Sequence, residues 1–161
     1  MKKSLVLSLA VCGVLAATTV SAETRFGAVG FTDGGAGVFL SGDKFIGSAV
    51  VGFNDIDGDI DGDMEDTSST ELKVSGAARV AKAGNASILA GATLGTKFAD
   101  NIGSELQVAV TAGIEYDLAP NVKLLASIDV LSYTTVESDV NMDHQEMNIF
   151  NDARVGVAYL F

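Results

Sequence analysis

Apolar side chains recur at every second position in the carboxyl-terminal segment of this chain. Residues 154–161 read Arg-Val-Gly-Val-Ala-Tyr-Leu-Phe, so that Val155, Val157, Tyr159 and Phe161 alternate with residues that are charged or mostly small. A period of two places successive side chains on opposite faces of a β-strand, so this segment is predicted to be a strand with one apolar face. An exposed aromatic residue at the end of that face suits a membrane interface better than bulk water.

The amino-terminal residues follow the pattern of a secretory signal peptide. Lys2 and Lys3 precede an apolar stretch from Leu5 to Ala17, and Val20-Ser21-Ala22 matches a small-residue cleavage site. The stretch is too short and too interrupted for a permanent spanning helix, which needs about 20 apolar residues. We therefore predict a signal peptide at 1–22, cleavage near Ala22, and a single domain at 23–161.

Cleavage after Ala22 fixes the cysteine content and the charge of the mature chain. It removes Cys12, the only cysteine, so no disulfide framework is expected. A lipoprotein motif at Leu9-Ala10-Val11-Cys12 is a weaker alternative, because Val11 is bulky where a small residue is needed.

The mature chain keeps 8 basic and 21 acidic residues, a formal charge of −13. This charge argues against a nucleic-acid partner, because neutralising phosphates requires Lys and Arg.

The apolar content lies in short alternating segments, and no apolar run after the signal peptide reaches 18 residues. A strand of a spanning barrel shows lipid only every second residue, so this distribution favours a membrane barrel. Gly, Asn, Asp and Pro, which favour turns, divide the chain into eight segments. The expected fold class is an eight-stranded antiparallel up-and-down transmembrane β-barrel, with a secreted sandwich as the alternative. The predicted strands are 25–32, 36–41, 45–54, 71–82, 86–98, 104–116, 122–135 and 148–161.

Each predicted strand has a lipid-facing row and a lumen-facing row. Ionic residues of both signs on the lumen-facing rows are expected to pair inside a narrow barrel: Lys73, Arg79, Lys97, Glu115, Lys123, Asp129, Asp152 and Arg154. Strands one, two, three and five also direct apolar residues inward, so either the lumen has an apolar patch or one register is wrong; these residues are Val29, Phe31, Phe39, Ile46, Val50 and Leu89. Aromatic residues near strand ends predict two girdles, one from Phe45, Tyr116, Tyr159 and Phe161 and one from Phe53 and Phe98.

Two segments resemble a known family. Residues 112–124, which read AGIEYDLAPNVKL, and residues 155–161, VGVAYLF, resemble the small outer-membrane β-barrel family, which includes the OmpA transmembrane domain and the OmpX- and opacity-type proteins. The resemblance implies a monomeric barrel in the outer membrane of a Gram-negative bacterium, surrounded by lipid and lipopolysaccharide, with a structural or surface-interaction role. It also implies that Arg154, Gly156, Tyr159 and Phe161 form a signal for the barrel assembly machinery. Peptidoglycan attachment of the OmpA type is not implied.

An acidic segment in the second outer loop matches part of a calcium-binding template. Asp57, Asp59 and Asp61 take template positions one, three and five, Gly62 the turn glycine, Asp63 position seven and Glu65 position nine. Position twelve is Ser68 rather than the bidentate Glu, so only weak Ca²⁺ binding, on the order of 10⁻⁴ to 10⁻³ M, is expected. A solvated acidic loop with no bound metal is the alternative interpretation, and no other cofactor is predicted.

Two other activities are weighed against the structural role. His144, the only histidine, lies near Asp143, Glu146, Ser132, Glu137, Ser138 and Asp139, but no spacing marks a catalytic group. A lipid-modifying enzyme is therefore not expected. A channel is the second alternative, but eight strands enclose a lumen that side chains just fill, so any conductance should be small.

Calcium binding by the acidic segment is testable by calorimetry on the purified protein. If the segment is a calcium site, millimolar Ca²⁺ produces a saturable heat that Asp59→Ala weakens, because one of the oxygen ligands is lost. No heat at millimolar Ca²⁺, with Asp59→Ala indistinguishable from the parent, contradicts the site.

Overall fold

Eight β-strands account for nearly all of the described chain. The computed structural model describes residues 24–56, 67–99, 103–137 and 144–161. The strands are β1 (Arg25–Phe31), β2 (Ala36–Ser41), β3 (Phe45–Ile56), β4 (Thr67–Ala83), β5 (Ala86–Ala99), β6 (Gly103–Ala119), β7 (Val122–Glu137) and β8 (His144–Leu160). Within the described residues, no helix is long and apolar enough to cross a membrane.

The strands form a closed barrel in sequence order. Each strand is antiparallel to its neighbours, and β1 closes the ring by pairing with β8 from Gly27 opposite Leu160 to Phe31 opposite Gly156. The predicted eight-stranded up-and-down architecture is confirmed. The sandwich alternative is wrong, because a single sheet closes on itself instead of dividing into two.

The two ends of the barrel differ in their connections. At one end, here called the turn end, β2–β3, β4–β5 and β6–β7 are joined by two or three residues. The β4–β5 connection is the two-residue hairpin Gly84-Asn85, in which Gly84 has φ +59, as the first position of a type II′ turn requires. The other end, here called the loop end, holds the β1–β2 turn and the connections at 57–66, 100–102 and 138–143.

The barrel is apolar outside and largely polar inside. On β6 the alternation runs from Leu106 to Leu118: Ile114 is 53% exposed on the exterior, whereas the neighbouring Glu115 is 2% exposed in the lumen. The same contrast separates Val108 and Val110 from Ala109 and Thr111. A soluble barrel would bury the apolar row, so this distribution is that of a membrane-spanning barrel.

At the loop end, several strands extend further than the sequence pattern predicts. β4 begins at Thr67 instead of Glu71, and β8 begins at His144 instead of Asn148. Residues 67–70 are all polar, so they continue the ladder without apolar alternation. The alternation that marks a strand is lost there, while the backbone pairing continues.

Bulges interrupt the alternation at four places. Val80 is an extra residue in β4 opposite β5, Leu118 in β6 opposite β7, and Val130 in β7 opposite β6. Next to β7, the β8 register shifts by one residue between Asn151 and Arg154. Each bulge reverses which face the following side chain meets, and such irregularities re-aim side chains next to functional sites.

Candidate functional site: the barrel lumen

The lumen has an apolar middle section. Val29, Phe39, Val50, Leu125, Ala158 and Leu160 are buried in one cluster, and Phe31 and Ile46 pack against it. The sequence had left open whether inward apolar residues meant an apolar patch or a wrong register, and the structure confirms the patch. A cavity of about 60 Å³ beside this cluster is lined partly by hydroxyl groups from β3 to β7: Ser48, Ser75, Thr93, Thr111 and Ser127.

The turn-end cluster consists of Arg79, Glu115, Asp117 and Lys123. Arg79 Nη2 donates to both carboxylate oxygens of Glu115 at 3.0 and 2.9 Å, and Lys123 Nζ lies 2.6 Å from Glu115 Oε1. Lys123 also bonds Asp117. Arg79 donates in addition to the Gly42 carbonyl and to Ser41 Oγ, so it ties the β2–β3 turn to the interior. Two cations thus meet two carboxylates, which compensates the burial of Glu115.

The loop-end cluster consists of Glu71, Lys73, Asp129, Asp152 and Arg154. Lys73 Nζ lies 2.9 Å from Glu71 Oε1 and 2.8 Å from Asp152 Oδ2. Asp129, which is 0% exposed, faces Arg154 at 4.0 Å and accepts a weak hydrogen bond from Gln107 Nε2 at 3.4 Å. Three carboxylates thus meet two cations, so the cluster carries a formal charge of −1.

Backbone strain in β8 positions part of the loop-end cluster. Phe150 and Asp152 both have φ +53, a left-handed conformation that residues other than glycine rarely adopt. In this conformation the Asp152 side chain points into the lumen toward Lys73, whereas the Phe150 side chain stays exposed.

Seven of the eight ionic residues predicted for the lumen fall in the two clusters. Lys97 belongs to neither and lies opposite Glu105 in the β5–β6 register.

The residues predicted as an assembly signal divide between the two faces of β8. Arg154 is buried in the lumen, with its guanidinium 5.8 Å from the centre of the Phe31 ring. Gly156 is also buried, because an added Cβ would lie 2.6 Å from Phe31 Cδ1. Tyr159 and Phe161 are exposed on the exterior and stack edge to face, with ring centres 5.8 Å apart.

The predicted girdle residues are mostly confirmed on the exterior. Tyr116, Tyr159 and Phe161 are exposed at the turn end and Phe53 is exposed toward the loop end, whereas Phe45 and Phe98 are partly buried. Phe26 was not predicted as a girdle residue, yet it is 60% exposed, and its carbonyl accepts from the Phe161 amide. Phe26 lies between Arg25 and Gly27 on β1, and this alternation would have predicted its exterior position.

The acidic segment with Asp57, Asp59, Asp61, Asp63 and Glu65 lies outside the described residues, as does the predicted signal peptide. Its calcium binding therefore stays a prediction. Within the described part of the chain, no three His, Cys, Asp or Glu side chains are arranged to hold a metal ion.

Ser132, which lies near His144 in the sequence, is buried in the lumen, and its hydroxyl donates to Asn151 Oδ1 at 3.1 Å. In the backbone register His144 lies opposite Val136, four positions further along β7 than Ser132.

The comparisons with known proteins found similar solved structures but no matching family model and no matching curated protein. A major outer membrane protein from Thermus thermophilus is 16% identical, with a TM-score of 0.41, over 86% of this chain and 98% of that chain. Ail, the attachment invasion locus protein of Yersinia pestis, is 14% identical, with a TM-score of 0.36, over 86% of this chain and 96% of that chain. Because both sequence identities and both TM-scores are low, the functional assignment rests on the geometry of this chain alone.

The turn-end cluster predicts a large stability loss on removal of its central carboxylate. Glu115→Gln leaves Arg79 and Lys123 buried without their shared partner, so we expect the free energy of unfolding to fall by about 3 to 5 kcal/mol. Glu105→Gln, on the same strand but outside both clusters, is the matched control and should change it by less than about 0.5 kcal/mol. Urea unfolding of the refolded protein in lipid measures both, and equal effects would contradict a stabilising role for the cluster.

Proposed function

We propose that this protein is an integral outer-membrane barrel that anchors acidic loops at the cell surface, with a structural or interaction role. The observation that carries the proposal is the reversed polarity of the barrel. Large apolar side chains are exposed all around the exterior, while Lys73, Glu115 and Asp129 are buried in the lumen. Hydrocarbon outside and ionic pairing inside account for both facts together.

The lengths of the strands support a defined orientation. A tilted strand needs about 9 to 11 residues to span the hydrocarbon, whereas β4, β6 and β8 each have 17. The aromatic residues Tyr116, Tyr159 and Phe161 lie near the turn end, so the surplus length projects from the loop end. Short turns in the periplasm and longer loops outside are the usual arrangement.

The loop end has features of an interaction surface. Met147, Ile149 and Phe150 are 65–70% exposed there. Within the described residues, the part of β8 before Arg154 pairs with β7 only, because β1 ends opposite Gly156. An edge of this kind can accept an extended segment of a partner protein through backbone hydrogen bonds.

The exposed apolar exterior of the barrel indicates two kinds of partner. The exposed Tyr159 and Phe161 are available to the barrel assembly machinery before insertion, and outer-membrane lipid and lipopolysaccharide cover the apolar exterior afterwards. A monomer is sufficient, because β1 and β8 of the same chain close the ring without a second copy.

A channel is the second candidate function, and the filled lumen argues against a wide pore. Phe39 and Leu160 are fully buried in the middle section, and Glu115 and Asp129 are fully buried in the two charged clusters. Side chains just fill an eight-stranded barrel. A large, stable open state in planar-bilayer recordings would contradict this conclusion.

Membrane insertion is testable through a single exterior position. Val110, exposed near the middle of β6, should lie near the bilayer midplane, so Val110→Arg is expected to lower the free energy of unfolding in lipid by about 2 to 4 kcal/mol. Leu118→Arg, close to the turn end and equally exposed, is the matched control and should cost about 0 to 1 kcal/mol. In a soluble barrel both positions would face water and the two variants would behave alike.

The interaction role is testable through the charge of the acidic loop. Residues 57–66 contain six carboxylates, and converting all of them to the corresponding amides keeps the loop length while removing the charge. We expect cells that display this variant to adhere less to a cationic surface, with unchanged heat-dependent electrophoretic mobility of the barrel. Unchanged adhesion in a correctly inserted variant would exclude the loop charge as an interaction surface.

A further inference from the structure

Basic residues concentrate at one end of this strongly acidic protein. Of the eight basic residues after the predicted signal peptide, five belong to the turn end: Arg25, Lys44, Arg79, Lys82 and Lys123. The other three, Lys73, Lys97 and Arg154, lie further toward the loop end. The mature chain has a formal charge of −13, so this segregation gives the two mouths of the barrel different electrostatic character.

The turn-end mouth is a vestibule of about 560 Å³. Its lining includes four cations and three carboxylates: Arg25, Arg79, Lys82, Lys123, Asp43, Glu115 and Asp117. The volume is within the range of small-ligand sites. The vestibule is therefore both roomy and net positive.

Among the described residues, two of the four cations have no carboxylate partner. Arg79 and Lys123 are held by Glu115 and Asp117, as described above. Arg25 donates only to neutral acceptors, the Pro120 carbonyl at 2.8 Å and Asn121 Oδ1 at 2.7 Å. The Lys82 side chain makes no hydrogen bond or ion pair with the described residues. The charges of Arg25 and Lys82 are thus available to a ligand.

The fold directs Lys82 into the vestibule by a bulge. Regular alternation along β4 from Leu72 and Val74 would place Lys82 on the lipid-facing row. The extra residue Val80 changes the phase, so that Lys82 pairs with the buried, lumen-facing Ser87 and lines the vestibule. Bulges that re-aim one side chain are typical of binding sites.

We propose that the turn-end vestibule binds a phosphate-bearing ligand between Arg25 and Lys82. A phosphate group has several acceptor oxygens and up to two negative charges, which match two unpaired cations on separate strands, and Arg and Lys are its usual ligands in proteins. If the turn end faces the periplasm, as the proposed function has it, the source is either the headgroup of an anionic phospholipid or a soluble phosphate compound.

Backbone-amide NMR of the refolded full chain tests the site, in a maltoside detergent because that detergent carries no phosphate. One arm titrates inorganic pyrophosphate, and a second adds short-chain phosphatidylglycerol, with phosphatidylcholine as the uncharged control. We expect shifts at Lys82, Asn85 and Arg25 in at least one arm. Lys82→Gln should weaken binding about tenfold, the effect of losing one charge-assisted hydrogen bond. Lys44→Gln is the matched control, since it removes a charge from the same end without lining the vestibule, and should change binding less than about twofold.

Each outcome decides the proposal. Shifts with pyrophosphate identify a soluble ligand, shifts with phosphatidylglycerol alone identify a lipid headgroup, and no vestibule shift in either arm overturns the site. Equal weakening of binding by Lys82→Gln and Lys44→Gln also overturns the site, because the ligand would then be attracted by the overall charge of the turn end rather than by the vestibule. Heat-dependent mobility of the same samples reports insertion separately, so failure of this site is distinguishable from failure of the membrane assignment.

Discussion

Closure of the backbone hydrogen-bond network is the constraint on which the rest of this structure depends. Hydrocarbon offers no hydrogen-bonding partner, and each unpaired N–H or C=O there costs several kcal/mol, so a sheet can cross a membrane only as a ring. β1 and β8 complete that ring. The two strands approach closely at Gly27, where an added Cβ would overlap the carbonyl oxygen of Tyr159. A side chain at this position would push apart the pair that closes the barrel.

Closure also determines what the lumen contains. Once the exterior faces lipid, ionic side chains can lie only in the lumen or at the two ends, and an eight-stranded lumen is too narrow to hydrate them fully. The two charged clusters satisfy this requirement by pairing residues far apart in sequence, such as Lys73 with Asp152 and Arg79 with Glu115. The apolar section around Phe39 separates them and fills the cross-section. The result is a cross-section filled by apolar and paired ionic side chains.

The two ends of the barrel differ in their connections and in the charges that they present. At the loop end, the strands are long and β8 carries exposed apolar residues. At the turn end, tight connections surround a vestibule in which Arg25 and Lys82 have no carboxylate partner among the described residues. A protein that only anchored loops would have no evident need for a bulge that turns Lys82 away from lipid.

The sequence by itself determined the strand number, the turn positions, the main lipid-facing rows and seven of the nine ionic residues in the clusters, because side-chain alternation and turn chemistry are local properties. It did not determine the bulge at Val80, which turns Lys82 inward, the left-handed conformation of Asp152, or which charges pair. Those features depend on the register between strands that are distant in the chain, and each register is fixed only when the whole ring closes. Whether Val29 and Phe39 signalled an apolar lumen or a wrong register was likewise decided by the tertiary structure, because only the closed barrel brings these side chains into one buried cluster.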